Sequence, residues 1–81
     1  MRVKQTEWAN NDGGFESRFR VHASRVWAEV RHLDSGAQSR FEVDDDRGTI
    51  AMWPLFDSPK HEERRQDALS KALADCRELA L

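Results

Sequence analysis

Apolar and polar side chains alternate along the middle of the chain with the two-residue period of half-buried β-strands. The first alternating segment begins at Phe15, and turn clusters that contain glycine interrupt the pattern at 34–36 and 45–48. The predicted strands cover residues 15–23, 25–33, 39–43 and 49–53. Because the connections are short, the pattern predicts a meander of three or four antiparallel strands between Phe15 and Leu55.

The segment 24–34 also fits a helix, and the sequence leaves this alternative open. Val26, Val30 and Leu33 recur at three- and four-residue intervals, and Ser24 is available as an N-cap. The strand is favoured because valine is β-branched and because a turn cluster follows directly. A helix here would remove the central strand of the predicted sheet.

The C-terminal part of the chain predicts one amphipathic helix from about Ser58 to Ala80. Ser58 and Pro59 are typical of a helix start, as the N-cap and the first helical residue. The apolar residues that recur with a helical period are Leu69, Ala72, Leu73, Cys76, Leu79 and Ala80. We expect this stripe to face the sheet, whereas residues 60–67 carry no apolar side chain and should project into solvent or toward a partner.

The predicted fold class is therefore α+β, a three- or four-stranded antiparallel β-meander with one C-terminal amphipathic helix packed on one face. Residues 15–81 are expected to form this single domain. Residues 1–14 precede it as an N-terminal arm or a short strand, anchored by Trp8 in the second case. They end in a cluster of asparagine, aspartate and glycine that is typical of a turn or a flexible joint.

Composition indicates a folded chain with a thin core. Of the 81 residues, 38% are hydrophobic and 35% are charged, but three tryptophans and four phenylalanines exceed what disordered chains carry. A thin core favours self-association. Apolar side chains on both parities of 49–56 make Trp53 and Leu55 a candidate association surface, which predicts a homodimer.

Net charge and cysteine content limit the expected binding partners and the expected cellular location of the chain. The formal net charge of −2 gives no bulk attraction to nucleic acid or to acidic membranes. No segment approaches the ~18 apolar residues of a membrane span, and the N-terminus lacks the apolar region of a secretion signal, so no membrane association is expected. The single cysteine, Cys76, fits a reducing compartment, and the predicted location is the cytoplasm.

Neither a metal site nor a catalytic site is predicted. The three histidines and Cys76 lack metal-ligand spacing, and Cys76 belongs to the apolar stripe of the helix. The acidic run 44–46 is not followed by the glycine and glutamate that a calcium loop requires. Ser24, Ser35 and Ser39 stand in no nucleophile motif, so we expect no enzyme activity and no cofactor.

The strand alternation gathers arginines around a tryptophan on the sheet face away from the apolar residues. The candidate binding residues are Arg18, Arg20, Arg25, Trp27, Arg31 and Arg40. Guanidinium and indole groups suit an acidic protein surface, phosphates or stacked bases, although Glu29, Glu42 and Asp44 share the face and reduce its charge. The leading hypothesis is a non-catalytic regulatory module with a protein partner, as in many small bacterial or phage regulators. Nucleic-acid binding is the second hypothesis, and an enzyme is the third.

The segments 25–31 (Arg-Val-Trp-Ala-Glu-Val-Arg) and 52–58 (Met-Trp-Pro-Leu-Phe-Asp-Ser), followed by a helix, resemble the DNA-binding domain of plant ethylene-response factors. The arm-binding domain of tyrosine recombinases has a similar layout of three strands and one helix. The resemblance implies that Arg25, Trp27 and Arg31 contact DNA in the major groove. The chain lacks that family's glycine- and arginine-rich first strand and its alanine-rich helix, so we treat the resemblance as one of topology.

Overall fold

The computed structural model describes residues 4–22, 25–44 and 59–81 of the chain. Within these ranges the strands are β1 (Lys4–Gln5), β2 (Ala9–Asn11), β3 (Phe15–His22), β4 (Arg25–His32) and β5 (Gln38–Glu42). A 3₁₀ turn spans Asp12–Gly14, and the helix is α1 (Pro59–Leu79). An antiparallel sheet with one C-terminal helix packed on it confirms the predicted α+β fold class.

The strands form one antiparallel sheet in which β3, β4 and β5 follow one another as a meander. Strands β1 and β2 both pair with the same edge of β3, so the sheet is four strands wide. Strand β4 pairs with β3 over all eight of its residues, which confirms the strand interpretation of this segment over the helical alternative. The predicted strand at 49–53 and the turn at 45–48 lie outside the described residues.

A β-bulge interrupts the outer strand where β1 passes into β2. The registers of β1 and β2 against β3 differ by one residue, so residues 6–8 face only two residues of β3. Thr6 keeps the edge attached, because its N–H donates to the Phe19 carbonyl at 2.9 Å and its Oγ1 accepts the Phe19 N–H at 3.0 Å. The extra residue reverses the alternation of the side chains that follow it, and this decides where Trp8 lies.

Helix α1 packs across β4 and β5 and covers the apolar face of the sheet. Ala28 of β4 and Ala72 of the helix are fully buried, and such small side chains allow the helix to lie close to the strand. The core forms two clusters, which are Val26, Ala28, Val43 and Ala68, and Phe15, Val30, Ala72 and Cys76. The largest fully buried side chains of the described residues are valines and a cysteine, as expected for a thin core.

Two polar contacts fix helix α1 on β5 and on the residue that precedes it. Ser39 Oγ donates to Asp75 Oδ2 at 2.5 Å. One residue further along the helix, Cys76 Sγ donates to the Ala37 carbonyl at 3.5 Å. Because Cys76 belongs to the buried stripe and Asp75 lies next to it, these contacts set the position of the helix along its axis.

Helix α1 begins and ends within one residue of the prediction, but its first turns differ from it at one position. Arg65 is only 6% exposed, so the prediction that residues 60–67 project away from the rest of the chain is wrong there. Its guanidinium pairs with Glu62 one turn earlier. An arginine can bury its long aliphatic stem, which hydrophobic periodicity does not count. No helix in the described ranges is long and apolar enough to cross a membrane.

Candidate functional site

All six candidate binding residues lie on the sheet face opposite helix α1, which we call the open face. Side chains alternate along β3, β4 and β5, and those of the other parity pack under the helix. The open-face rows across the three strands are Glu16 with Arg31 and Gln38, Arg18 with Glu29 and Arg40, and Arg20 with Trp27 and Glu42. Arg25 pairs with His22 at the end of the face. Because glutamates stand between or beside the arginines, cross-strand ion pairs are built into this register.

Two arginines of the open face form short ion pairs. Arg18 Nε donates to Glu29 Oε1 at 2.7 Å, and Arg31 donates to Glu16 Oε1 from Nη2 at 2.8 Å and from Nε at 3.0 Å. The Arg18 and Glu29 side chains are only 18% and 14% exposed. These pairs are therefore partly shielded from solvent, which makes them stronger than ordinary surface pairs.

Two further arginines are held more loosely. Arg25 Nη1 lies 3.7 Å from Glu42 Oε2, and Arg20 Nη1 lies 3.8 Å from Glu29 Oε2. Both distances exceed a hydrogen bond. The Arg25 and Glu42 side chains are also largely exposed, so this pair is expected to contribute little to stability.

Trp8 joins the open face, which the sequence analysis did not predict. With strict alternation from Gln5, Trp8 would point toward the helix side, and the bulge at 6–8 turns it to the open face instead. The guanidinium carbons of Arg18 and Arg31 lie 4.3 Å and 3.9 Å from its ring centroid. Trp8 thus stacks on the two arginines that form the short ion pairs, and it helps to cover them. A bulge leaves no periodic signature in sequence, so no pattern identified this residue.

Trp27 and Arg40 form a second stack at the other end of the open face. The Arg40 guanidinium carbon lies 4.4 Å from the Trp27 ring centroid. Arg40 is exposed, and none of the ion pairs among the described residues includes it. Stacking uses the flat side of a guanidinium and leaves the N–H groups on its edge free to donate.

A shallow hollow of about 420 Å³ separates these two parts of the open face. Its charged and aromatic lining consists of Trp8, Arg18, Arg20, Glu29, Arg31 and Arg40. Four guanidinium groups thus surround one carboxylate, and Gln38 adds an amide at the rim. The hollow has a local excess of positive charge although the chain as a whole is slightly acidic.

The turn between β4 and β5 brings a histidine against a serine, a contact that the sequence analysis also missed. His32 Nδ1 accepts from Ser35 Oγ at 2.8 Å and from the Ser35 N–H at 3.2 Å, while Nε2 donates to the Gly13 carbonyl at 3.2 Å. Ser35 Oγ in turn accepts the Ala37 N–H at 3.2 Å. The two ring nitrogens of His32 and the hydroxyl of Ser35 thus all make hydrogen bonds that join the 12–14 turn to the turn between β4 and β5. Gly36 has the left-handed conformation that the second turn requires. We therefore interpret the pair as structural, not as a nucleophile and its base.

Cys76 has the surroundings of a structural thiol. Burial raises the pKa of the Cys76 thiol above its ordinary value of 9.0, and the adjacent Asp75 carboxylate raises it further. The thiol is therefore protonated at neutral pH and is a poor nucleophile or metal ligand.

No cluster of metal-ligating side chains occurs among residues 4–22, 25–44 and 59–81. Trp53 and Leu55 lie outside the described residues, so the predicted association surface stays a prediction.

Comparison with protein families, curated proteins and solved structures found no match for the chain. The three residues that the ethylene-response-factor resemblance implies as DNA contacts do lie together on the open face. However, Arg31 is hydrogen-bonded to Glu16, and Arg25 lies 3.7 Å from Glu42. The Arg40 guanidinium lies over the ring of Trp27. The paired arginines would have to release their carboxylates before they could bind phosphates.

Proposed function

We propose that this chain is a non-catalytic protein-binding module whose open face docks against a protein partner. The observation that carries the proposal is the arrangement of that face: two tryptophans are stacked with arginines, and the two arginines that stack on Trp8 are oriented by cross-strand glutamates. Tryptophan and arginine are the residues that most often dominate the binding energy of protein interfaces. Side chains fixed before binding also lose less conformational entropy when a partner docks.

A protein partner fits this face better than nucleic acid does. Strands β3 to β5 present five arginines and three glutamates on the open face, and each glutamate lies within 4.0 Å of at least one arginine. Of these arginines, only Arg40 lacks a carboxylate of a described residue within 4.0 Å, and Arg20 shares that of Glu29 with Arg18, so few cations are available to phosphates. Alternating charges complement another protein surface, whereas nucleic acid presents only negative charge.

Nucleic-acid binding is the second candidate, because the same face combines arginines with aromatic rings. It is tested by titrating duplex and single-stranded oligonucleotides at two salt concentrations, with Arg25→Ala, Trp27→Ala and Arg31→Ala as variants. We expect weak binding whose log–log salt slope is shallower than about −2, since only about two phosphates can be neutralised. A steep slope together with loss of binding in the three variants would assign the face to nucleic acid instead.

The protein-binding proposal itself is tested by affinity capture from an extract of the native host, with three forms of the chain as bait. The forms are the wild type, Arg40→Glu on the open face, and Lys71→Glu on the exposed side of the helix as a control of equal charge change. We expect a partner that the wild type and the control retain and that Arg40→Glu loses, and calorimetry with the purified partner should reproduce the difference. A partner lost equally from both variants, or from neither, would contradict the proposed face.

The single cysteine supports a cytoplasmic location for this module, and a regulatory role is the use we propose for a small binding domain of this kind. Co-fractionation of the chain with its captured partner in the cytoplasmic extract is the expected result.

A further inference from the structure

The hollow beside Trp8 is the part of the open face where four guanidinium groups surround one space. Its volume of about 420 Å³ lies within the range of small-ligand sites, and its lining is arginine-rich. Arg18 and Arg20 share a single carboxylate, that of Glu29, while Arg40 has no carboxylate partner in the described part of the chain. The hollow therefore has more cations than the described carboxylates neutralise.

Two arginines on opposite sides of the hollow keep unused hydrogen-bond donors. Among the described residues, Arg20 makes only the 3.8 Å contact with Glu29. Its Nε is buried without a hydrogen-bond partner, so its Nη groups are the donors that a ligand in the hollow can reach. The Arg40 guanidinium carbon lies 4.4 Å from the Trp27 ring centroid, and none of the side-chain hydrogen bonds or ion pairs of the described residues uses its N–H groups. A guanidinium edge of this kind binds a planar carboxylate through two parallel hydrogen bonds.

We propose that this hollow is a subsite for a side-chain carboxylate, and that the partner therefore presents an acidic segment to Arg20 and Arg40. This inference rests on the proposed function and names the chemistry of the partner. Glu29 already lies within 4.0 Å of two arginines, and a second carboxylate would accept hydrogen bonds from the N–H groups that Glu29 leaves unused.

Carboxylate is favoured over nucleic-acid phosphate by the number and the spacing of the available cations. A bound oligonucleotide strand needs a continuous series of cations along its backbone. Here Glu16, Glu29 and Glu42 stand between or beside the arginines, and they would repel successive phosphates. A single glutamate or aspartate side chain needs only the donors of Arg20 and Arg40, and the four guanidinium groups of the lining outnumber the one carboxylate of Glu29.

The test uses an acetylated and amidated hexaglutamate peptide as the probe and hexaglutamine as the uncharged control. In ¹H–¹⁵N spectra, hexaglutamate should move the Nε–H signals of Arg20 and Arg40 and the indole signal of Trp8 in a saturable way. Arg40→Gln should weaken the binding about tenfold because it removes one charge-assisted pair of hydrogen bonds. Lys71→Gln, on the exposed side of the helix, should leave the affinity unchanged.

The subsite is overturned if hexaglutamate moves none of these signals, or moves the backbone signal of Lys71 on the helix as much as it moves the Nε–H signal of Arg40. It is also overturned if a duplex oligonucleotide moves the same signals at lower concentration and with a steep dependence on salt. Capture of a partner that depends on Arg40, without any response to hexaglutamate, would retain the protein-binding module and discard the carboxylate subsite. Hexaglutamate binding without a partner that depends on the open face would contradict the protein-binding module instead.

Discussion

The two faces of the sheet are formed by the same three strands but are organised by different interactions. Under helix α1 the contacts are apolar and small, with Val26, Ala28 and Val30 of β4 almost fully buried. On the open face the same strand carries Trp27, Glu29 and Arg31, which are half-buried and held by ion pairs and ring stacking. The apolar face loses contact with water on folding, whereas the open face stays hydrated at its edges.

This difference separates stability from binding. Burial of apolar surface is the main favourable contribution to folding, so the covered face should determine whether the chain folds. Ion pairs near the surface contribute little to stability but orient side chains, so the open face should determine what the folded chain binds. Substitutions on the covered face are therefore expected to lower mainly the stability of the fold, and substitutions on the open face to weaken mainly the binding of a partner.

The largest effect is expected under the helix, from Val30→Asp. Val30 is 1% exposed, and an aspartate there would place an unpaired charge in the core at a cost of several kcal/mol. We expect loss of cooperative unfolding in urea followed by circular dichroism. Leu33→Asp is the matched control, because Leu33 is 57% exposed in the adjoining turn and its free energy of unfolding should change by less than about 0.5 kcal/mol. Equal effects of the two changes would contradict the assigned core.

Trp8→Ala should give the next largest effect. The change removes two guanidinium stacks and uncovers the ion pairs of Arg18 and Arg31, which should lower the free energy of unfolding by about 2 kcal/mol. Trp8→Phe keeps an aromatic ring at the bulge and should recover more than half of the loss. If alanine is tolerated without loss, the bulge does not hold Trp8 over these arginines.

A smaller contrast separates two glutamates of the open face. Glu29→Gln leaves Arg18 and Arg20 without their shared carboxylate, and we expect a loss of about 1 kcal/mol. Glu42→Gln affects only the exposed 3.7 Å pair with Arg25 and should cost less than about 0.5 kcal/mol. Urea midpoints at low and high salt measure both, and the Glu29 effect should be the less sensitive to salt. The reverse order would contradict the distinction between short and loose pairs.

The smallest effect belongs to the covered face and appears only at high pH. The pKa of Cys76 is raised in the folded chain, so the unfolded chain loses this proton first as the pH rises past 9.0. The free energy of unfolding should therefore fall more steeply above this pH in the wild type than in Cys76→Ala. Urea unfolding of both proteins at pH 7 and at pH 10 measures the difference. Parallel curves would show that the thiol is not buried in the folded state.

The periodic parts of the structure were predictable from the sequence, and the irregular ones were not. Alternation from Phe15 and the stripe on the helix each follow from the repeat of a regular element, which identified the sheet, its faces and the helix. The bulge at 6–8 breaks that repeat, so neither Trp8 nor its stacking could be predicted. The ion pairs could not be predicted either. The alternation along a strand assigns each side chain to a face, but the register between strands decides which arginine lies opposite Glu29. Arg65 was missed because hydrophobic periodicity assigns no burial to a charged side chain.

The most direct test of the open face as the binding surface is a map of ¹H–¹⁵N shift changes when the purified partner from the capture experiment is added. We expect the changes to centre on the indole signals of Trp8 and Trp27 and on the Nε–H signals of Arg20 and Arg40. Backbone signals on the exposed side of the helix, such as those of Lys71, should stay in place. Shifts that centre on the helix and leave both indoles unchanged would contradict the open face as the binding surface.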